Sequence, residues 1–379
     1  MIYLDNAATT TVFPEVAEAM TEVLTTIYGN PSSMHVMGFD AEKKVKQAAD
    51  TISHLLKVDA KEIVFTSGGT ESNNMALIGS AFGYHRSGKH IITTAIEHAS
   101  VYNPMFYLEE QGFEVTYLPV DSNGIVKLDK LKEALREDTI LVSIMYVNNE
   151  VGSVQPIEEI ARIVKEYKKD ILFHVDAIQA FGKISIYPKK MGIDMLSVSG
   201  HKIHGPKGIG FLYMKDRLKV KPIILGGGQQ KDMRSGTENV PGIVGMAVAA
   251  DLMNQRHEEL MDNMSACKKR LMEGALAIEA VYNNSGEAPH IVSLSFPGIR
   301  SEVLLHALEE KGICVSSGSA CSSNHPQVSG TLKGMGLTKE KYESTIRFSF
   351  SYYTTMEEIE TTIEALKELV PVLRRFVRR

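Results

Sequence analysis

Ser197-Val198-Ser199-Gly200-His201-Lys202-Ile203-His204-Gly205-Pro206-Lys207-Gly208 places one lysine among glycines and small polar residues. It follows a strand-like run, Asp194-Met195-Leu196-Ser197-Val198. A lysine amine that attacks a carbonyl must be held where it can lose its proton. Ser199 and His201 flank Lys202 with a hydroxyl and a ring N–H, both able to hold a phosphate. Read alone, Lys202 is also an ordinary solvated loop lysine. Its meaning depends on partners supplied elsewhere in the chain.

Those partners sit in a regular pattern. From about residue 40 to residue 215, helix-like and strand-like periods alternate. Ala41 to Val58 and Glu71 to Tyr84 have helical spacing, as does the stripe Ile157, Ile160, Ile163, Val164 and Tyr167 after Pro156. Glu62 to Phe65, His90 to Thr94, Phe113 to Leu118, Ile140 to Val147 and Ile171 to Val175 read as strands. The alternation predicts an α/β fold, a mostly parallel sheet flanked by helices, with ligands bound beyond the carboxyl ends of the strands. Val240 to Leu276 reads as mostly helical and leads into a smaller α+β unit: strands near 291–296, 312–316 and 345–350, helices over 301–310 and 356–369.

The polar motifs fall at the predicted strand ends. Phe65-Thr66-Ser67-Gly68-Gly69-Thr70-Glu71-Ser72 runs strand, glycine turn, helix start, an anion site suited to phosphate or simply a capped turn. It carries neither a Walker motif nor a GxGxxG fingerprint, which disfavours a nicotinamide oxidoreductase. Asp176 ends a strand and is either a helix N-cap or the anion that keeps a pyridine nitrogen protonated. Gln179 follows within reach of a ring hydroxyl. His98, past another strand, offers an imidazole for stacking and proton transfer. Asn149 offers an amide, and Thr237, in Arg234-Ser235-Gly236-Thr237, a hydroxyl for phosphate. Together these residues fit pyridoxal 5'-phosphate held by Lys202.

Composition sets bounds. The 379 residues carry a formal net charge of −5, with 44% hydrophobic and 23% charged residues. That balance gives no general attraction to nucleic acid or acidic membranes. No signal pattern or membrane-length apolar run is present, and three sparse cysteines point to a reducing, cytoplasmic setting. Cys267 and Cys314 read as packing residues. Cys321, in Ser316-Ser317-Gly318-Ser319-Ala320-Cys321-Ser322-Ser323-Asn324, sits in a stretch too small and polar to pack, accessible as a nucleophile must be. The cysteine spacing supports no structural zinc site.

These motifs, with Tyr3-Leu4-Asp5-Asn6-Ala7-Ala8-Thr9-Thr10, Gly29-Asn30-Pro31-Ser32-Ser33 and Ile346-Arg347-Phe348-Ser349, resemble the cysteine desulfurases of the NifS/IscS kind. These are fold-type I, class V aminotransferase-like enzymes that use pyridoxal phosphate. The resemblance runs nearly end to end. It implies that Lys202 holds the cofactor as a Schiff base and then acts as base and acid. Asp176 pairs with the pyridinium, His98 stacks and moves protons, and Gln179 and Asn149 hold ring substituents. Gly69, Thr70, Ser199 and His201 bind the phosphate, with Thr237 reaching in from the second subunit of a homodimer. Arg347, with Asn149, holds the carboxylate of L-cysteine. Cys321 takes the sulfur as a persulfide, releasing alanine, and passes it to an acceptor protein, either an iron–sulfur cluster scaffold or a tRNA- or thiamine-thiolating enzyme. The expected division is a large cofactor-binding domain over 15–255 and a small domain over 1–14 and 256–379, with the Cys321 loop at about 316–330. No metal, nucleic acid or membrane partner is implied. A selenocysteine lyase or aminotransferase is the alternative on the same fold, and a non-catalytic sulfur-relay adaptor the alternative from another class. The chain departs from the family pattern at Phe350-Ser351-Tyr352, where leucine, glycine and arginine are usual.

Overall fold

A computed structural model of the chain describes residues 1–317 and 329–376, so Cys321 lies outside the described residues. A short strand β1 (Ile2–Tyr3) precedes the seven strands of the main sheet. These are β2 (Ile63–Thr66), β3 (His90–Thr94), β4 (Glu114–Leu118), β5 (Thr139–Met145), β6 (Leu172–Asp176), β7 (Met195–Ser199) and β8 (Gly210–Met214). Their order is β2-β8-β7-β6-β5-β3-β4, parallel throughout except for β8, which runs antiparallel to both neighbours. Every residue of β3, β5, β6 and β7 is buried. Sheets covered on both faces select such continuous apolar, β-branched runs.

The covering helices follow the expected stripes, except that Tyr167 is exposed. Helix Ile157–Tyr167 buries Ile157, Ile160, Ala161, Ile163 and Val164 and carries Glu158 and Glu159 in its first turn, where anions suit the helix dipole. The helical run Gly69–Asn74 continues through a π turn, Met75–Gly79, into Ser80–Tyr84. The helical stretch expected over 240–276 is divided in two, and its first part is helix Val240–Gln255. It buries most of its length against helices Pro14–Thr25 and Val36–Leu56 on the main sheet's side, and His257–Leu276 is a separate helix beyond Arg256. A helix apolar on all sides must be buried on all sides, which pattern alone does not place.

The smaller sheet comprises β9 (Tyr282–Asn283), β10 (Ile291–Ser295), β12 (Ser316–Ser317) and β13 (Thr345–Ser349) in the order β12-β13-β10-β9, all antiparallel. The remaining strand, β11 (Ile313–Cys314), pairs in parallel with β1. The N-terminal segment then crosses between the two sheets. The Ser349 amide donates to Leu4 O at 2.7 Å, while the Thr10 and Phe13 amides donate to His201 O at 2.9 Å and His204 O at 3.1 Å. Arg347 on β13 and the turn carrying Lys202 are thereby tied to one strap.

The departure at 350–352 belongs to the core. Phe350 is buried, and the Tyr352 ring packs edge-on to Phe13, which stacks on His204 at 4.3 Å. Cys267 is buried, as expected, whereas Cys314 is half-buried. The basic C-terminus is partly an anchor, since the Arg374 guanidinium donates to the carbonyls of Pro297, Glu279 and Ala280. No helix among the described residues is long and apolar enough to cross a membrane.

Candidate active site

Strands β2, β3, β5, β6 and β7 bring their carboxyl ends to one cavity of about 230 Å³. Gly69 and Thr70 enter from the turn after β2, His98 and Ser100 from beyond β3, and Met145, Val147 and Asn149 from the end of β5. Asp176, Ile178 and Gln179 come from β6, and Ser199, His201 and Lys202 from β7. Arg347 of β13 closes one wall, and Ala7 and Ala8 of the strap another. Every site residue expected from sequence lines this cavity except two. Thr237 is exposed and does not reach it; Cys321 lies outside the described residues.

Lys202 Nζ donates to Ala7 O at 2.6 Å and Ala8 O at 2.7 Å, so the strap fixes where the amine sits. Asp176 is 4% exposed. Its carboxylate accepts from Asn73 Nδ2 at 2.8 Å and from the Ile178 amide at 3.0 Å. Burial pushes its pKa up against these two bonds and the charges of His98 and Lys202. No ion pair among the described residues includes Asp176.

The remaining hydrogen of Asn73 Nδ2 goes to Ser100 Oγ at 2.9 Å, and Ser100 Oγ lies 2.8 Å from His98 Nδ1. The Ser100 amide also donates to that Nδ1 at 3.1 Å. An Nδ1 that accepts leaves the ring proton on Nε2. Burial, more than the opposing pull of Asp176, depresses the His98 pKa, so the ring is neutral near pH 7. Asn73 and Ser100 went unnoticed in the sequence. The available signal was position, since Asn73 lies four residues beyond Gly69 and so one helical turn above the glycine cup.

The glycine turn itself is shaped by backbone. Gly68 adopts φ +151, open to glycine but rarely to other residues. Gly210 on β8 approaches so closely that a Cβ there would stand 2.7 Å from Gly68 Cα. The turn is thereby set against the sheet with amide groups at a helix start, suited to an anion.

On the opposite wall Arg347 is 4% exposed. It donates from Nη2 to Asp5 Oδ1 at 2.7 Å and from Nη1 to Asn149 O at 2.9 Å, while its buried Nε has no partner among the described residues. Next to it, Glu150 accepts from Ser329 Oγ at 2.5 Å and Thr331 Oγ1 at 3.0 Å, which ties the described residues just beyond the Cys321 segment to this corner. Glu97, beside His98, is buried with its pKa raised to about 8, and it bridges Thr94 Oγ1 and the Met145 amide. Among the described residues no cluster of histidine, cysteine and acidic side chains could hold a metal.

These residues fit pyridoxal phosphate. The buried Asp176 lacks a cation that a protonated pyridine nitrogen would supply. An amine, a neutral imidazole and an amide-lined turn for the phosphate surround the same space.

Comparison with known proteins agrees. The family model of the aminotransferase class-V proteins matches residues 2–362. The "Cysteine desulfurase IscS" of Dictyoglomus turgidum is 43% identical over 98% of this chain and 95% of its own length. The protein of the same name from Methanosarcina thermophila is 44% identical over 98% and 93%. Among solved structures, a "NifS-like protein" superposes with a TM-score of 0.93 at 39% identity, covering 98% of this chain and 99% of its own. The chain belongs to the aminotransferase class-V family and, within it, to the pyridoxal-phosphate-dependent cysteine desulfurases.

Proposed function

We propose that this chain takes sulfur from L-cysteine onto Cys321, with Lys202 as its Schiff-base lysine. Pyridoxal phosphate bound in the cavity supplies an electron sink for the carbon skeleton of cysteine. Lys202 would hold the cofactor through its amine and would carry a proton between substrate carbons. Asp176 keeps the ring nitrogen protonated, held in place by Asn73 and the Ile178 amide. His98, neutral and protonated on Nε2, moves protons at the ring face. Gln179 and Asn149 hold ring substituents, and Gly69, Thr70, Ser199 and His201 hold the phosphate. Thr237, exposed and away from this chain's own cavity, serves the neighbouring subunit of a homodimer. Arg347 holds the substrate carboxylate, its position set by Asp5 and Asn149.

The Cys321 thiolate attacks the substrate sulfur. An S–S bond forms, the substrate C–S bond breaks, and its electron pair stays on carbon, which takes up a proton and leaves as alanine. One cysteine and one thiol become one alanine and one persulfide, with no outside oxidant. An acceptor protein, for cluster assembly or for tRNA or thiamine thiolation, then removes the sulfur. The division proposed is a large domain over 15–255 and a small domain over 1–14 and 256–379, a reading supported by the separate seven-stranded and four-stranded sheets. The sparse cysteines favour the cytoplasm.

The observation that carries this reading is one cavity lined by Lys202, Asp176, Ser100, His98 and Arg347, with the buried Asn73 bridging Asp176 to Ser100. The test is alanine and sulfide formation from L-cysteine by the cofactor-loaded protein under reductant. Equal amounts of both, with Lys202→Ala losing the borohydride-reducible chromophore, support it. A chromophore retained in Lys202→Ala, or no sulfur released by the parent, contradicts it.

A further inference from the structure

Lys183 stands directly behind the reactive lysine. Its side chain is 6% exposed, and its Nζ donates to the main-chain carbonyl of Lys202 at 3.0 Å, its one side-chain hydrogen bond among the described residues. None of the ion pairs among the described residues includes Lys183. A buried ammonium without a carboxylate is costly, so such a residue is not explained by stability. Its surroundings are buried imidazoles, His204 and His290, and the partly buried His201, all driven neutral by burial with Lys183 among the charges acting on them. Burial, with the charge of Lys202, lowers the Lys183 ammonium to about 7.

The chain path gives this contact a purpose. The turn that begins at Asp176 is closed by the Ala180 amide on Ala177 O at 2.9 Å and ends with the Lys183 amide on Ala180 O at 3.0 Å. It carries Asp176, Ile178 and Gln179 into the cavity. Lys202 ends a separate one-turn segment, Gly200–Lys202. The Lys183 side chain is the cross-tie from the end of the first turn to the end of the second.

We propose that Lys183 is a positioning residue that locks the acid-bearing turn of Asp176 and Gln179 to the turn of Lys202, holding the amine at the distance the cofactor requires. The inference rests on Lys202 being the Schiff-base lysine. A donor is what the tie needs, so a neutral donor serves in its place, whereas an apolar side chain of similar length does not.

The experiment loads the full-length protein and its Lys183→Met and Lys183→Gln variants with pyridoxal phosphate. It measures cofactor affinity, the pH midpoint of the bound chromophore and the melting temperature without cofactor. Borohydride reduction and peptide mapping identify the trapped lysine in the parent. The expected result is trapping at Lys202, with Lys183→Met binding the cofactor roughly tenfold more weakly, as loss of one buried hydrogen bond implies. Its chromophore midpoint shifts, and Lys183→Gln stays within about threefold of the parent affinity. Parent-like affinity and midpoint in Lys183→Met overturn the proposal. So does a drop in melting temperature shared by both variants with an unmoved midpoint. Trapping at any lysine other than Lys202 overturns instead the reading on which the proposal rests.

Discussion

Replacing Asp176 with asparagine separates the cofactor's electrostatics from the fold. The carboxylate is almost fully buried, holds two neutral donors and lacks an ion pair among the described residues. Its pKa is raised in the folded chain, so the folded state holds its proton more tightly than the unfolded state. Such a group costs the cofactor-free protein stability as pH rises above the unfolded value of about 4. Asparagine has nearly the same shape and no charge. Its amide nitrogen would face the Asn73 amide, which can turn its Oδ1, unpartnered at present, toward the new donor. Without cofactor, Asp176→Asn is therefore expected to gain on the order of 1 kcal/mol at pH 8, about 1–2 °C in melting temperature for a chain of this size. With cofactor the order reverses. Loss of a buried charge-assisted bond to the ring nitrogen, worth about 1.5–3 kcal/mol, weakens binding roughly 10- to 150-fold. Differential scanning calorimetry with and without pyridoxal phosphate reads both halves. A variant that melts below the parent without cofactor, or is stabilised by cofactor as much as the parent, refutes the reasoning.

Other perturbations address separate parts of the site. Arg347→Ala should keep the cofactor spectrum and raise KM for cysteine by roughly 100-fold, while Arg347→Lys recovers part of it; steady-state kinetics decide. Gly210→Ala places a Cβ 2.5 Å from Val198 O and against the Gly68 turn. Overpacking of this kind costs about 1–3 kcal/mol, and weaker cofactor binding should accompany the lower melting temperature. His174, buried between Ser143 and Ser197, has its pKa lowered to about 3 by burial. The unfolded chain takes up that proton below about pH 6.5 and the folded chain does not, so stability present above 6.5 falls away by roughly 2 kcal/mol at pH 5. A His174→Gln variant should show a shallower loss of melting temperature between pH 6.5 and 4, and an unchanged slope would count against the assignment.

Much of this was legible because the chemistry sits where the hydrophobic pattern changes. Asp176, Ser199 and Met145 are the last residues of buried strands, so a sequence that marks strand ends also marks the cavity. The antiparallel β8 was not legible. Gly210–Met214 is as buried as the parallel strands of the sheet, and direction is a matter of topology rather than composition. Asn73, Ser100 and Lys183 were missed for a related reason. Each acts through a contact to a group distant in sequence, and an isolated polar residue on a helix or turn carries no local mark of its partner. Asp5 was within a recognised motif, yet its bond to Arg347 joins the N-terminal strap to the last strand and appears only once the strap is folded.

The most direct test of the central claim is a single turnover of the cofactor-loaded protein with L-cysteine, without reductant, quenched for alanine analysis and peptide mass spectrometry. The expected result is about one alanine per active site and one added sulfur atom on the peptide containing Cys321, with neither product in Lys202→Ala and no added sulfur in Cys321→Ala. Alanine formed at the parental rate by Cys321→Ala, or sulfur mapped to Cys267 or Cys314, would contradict it.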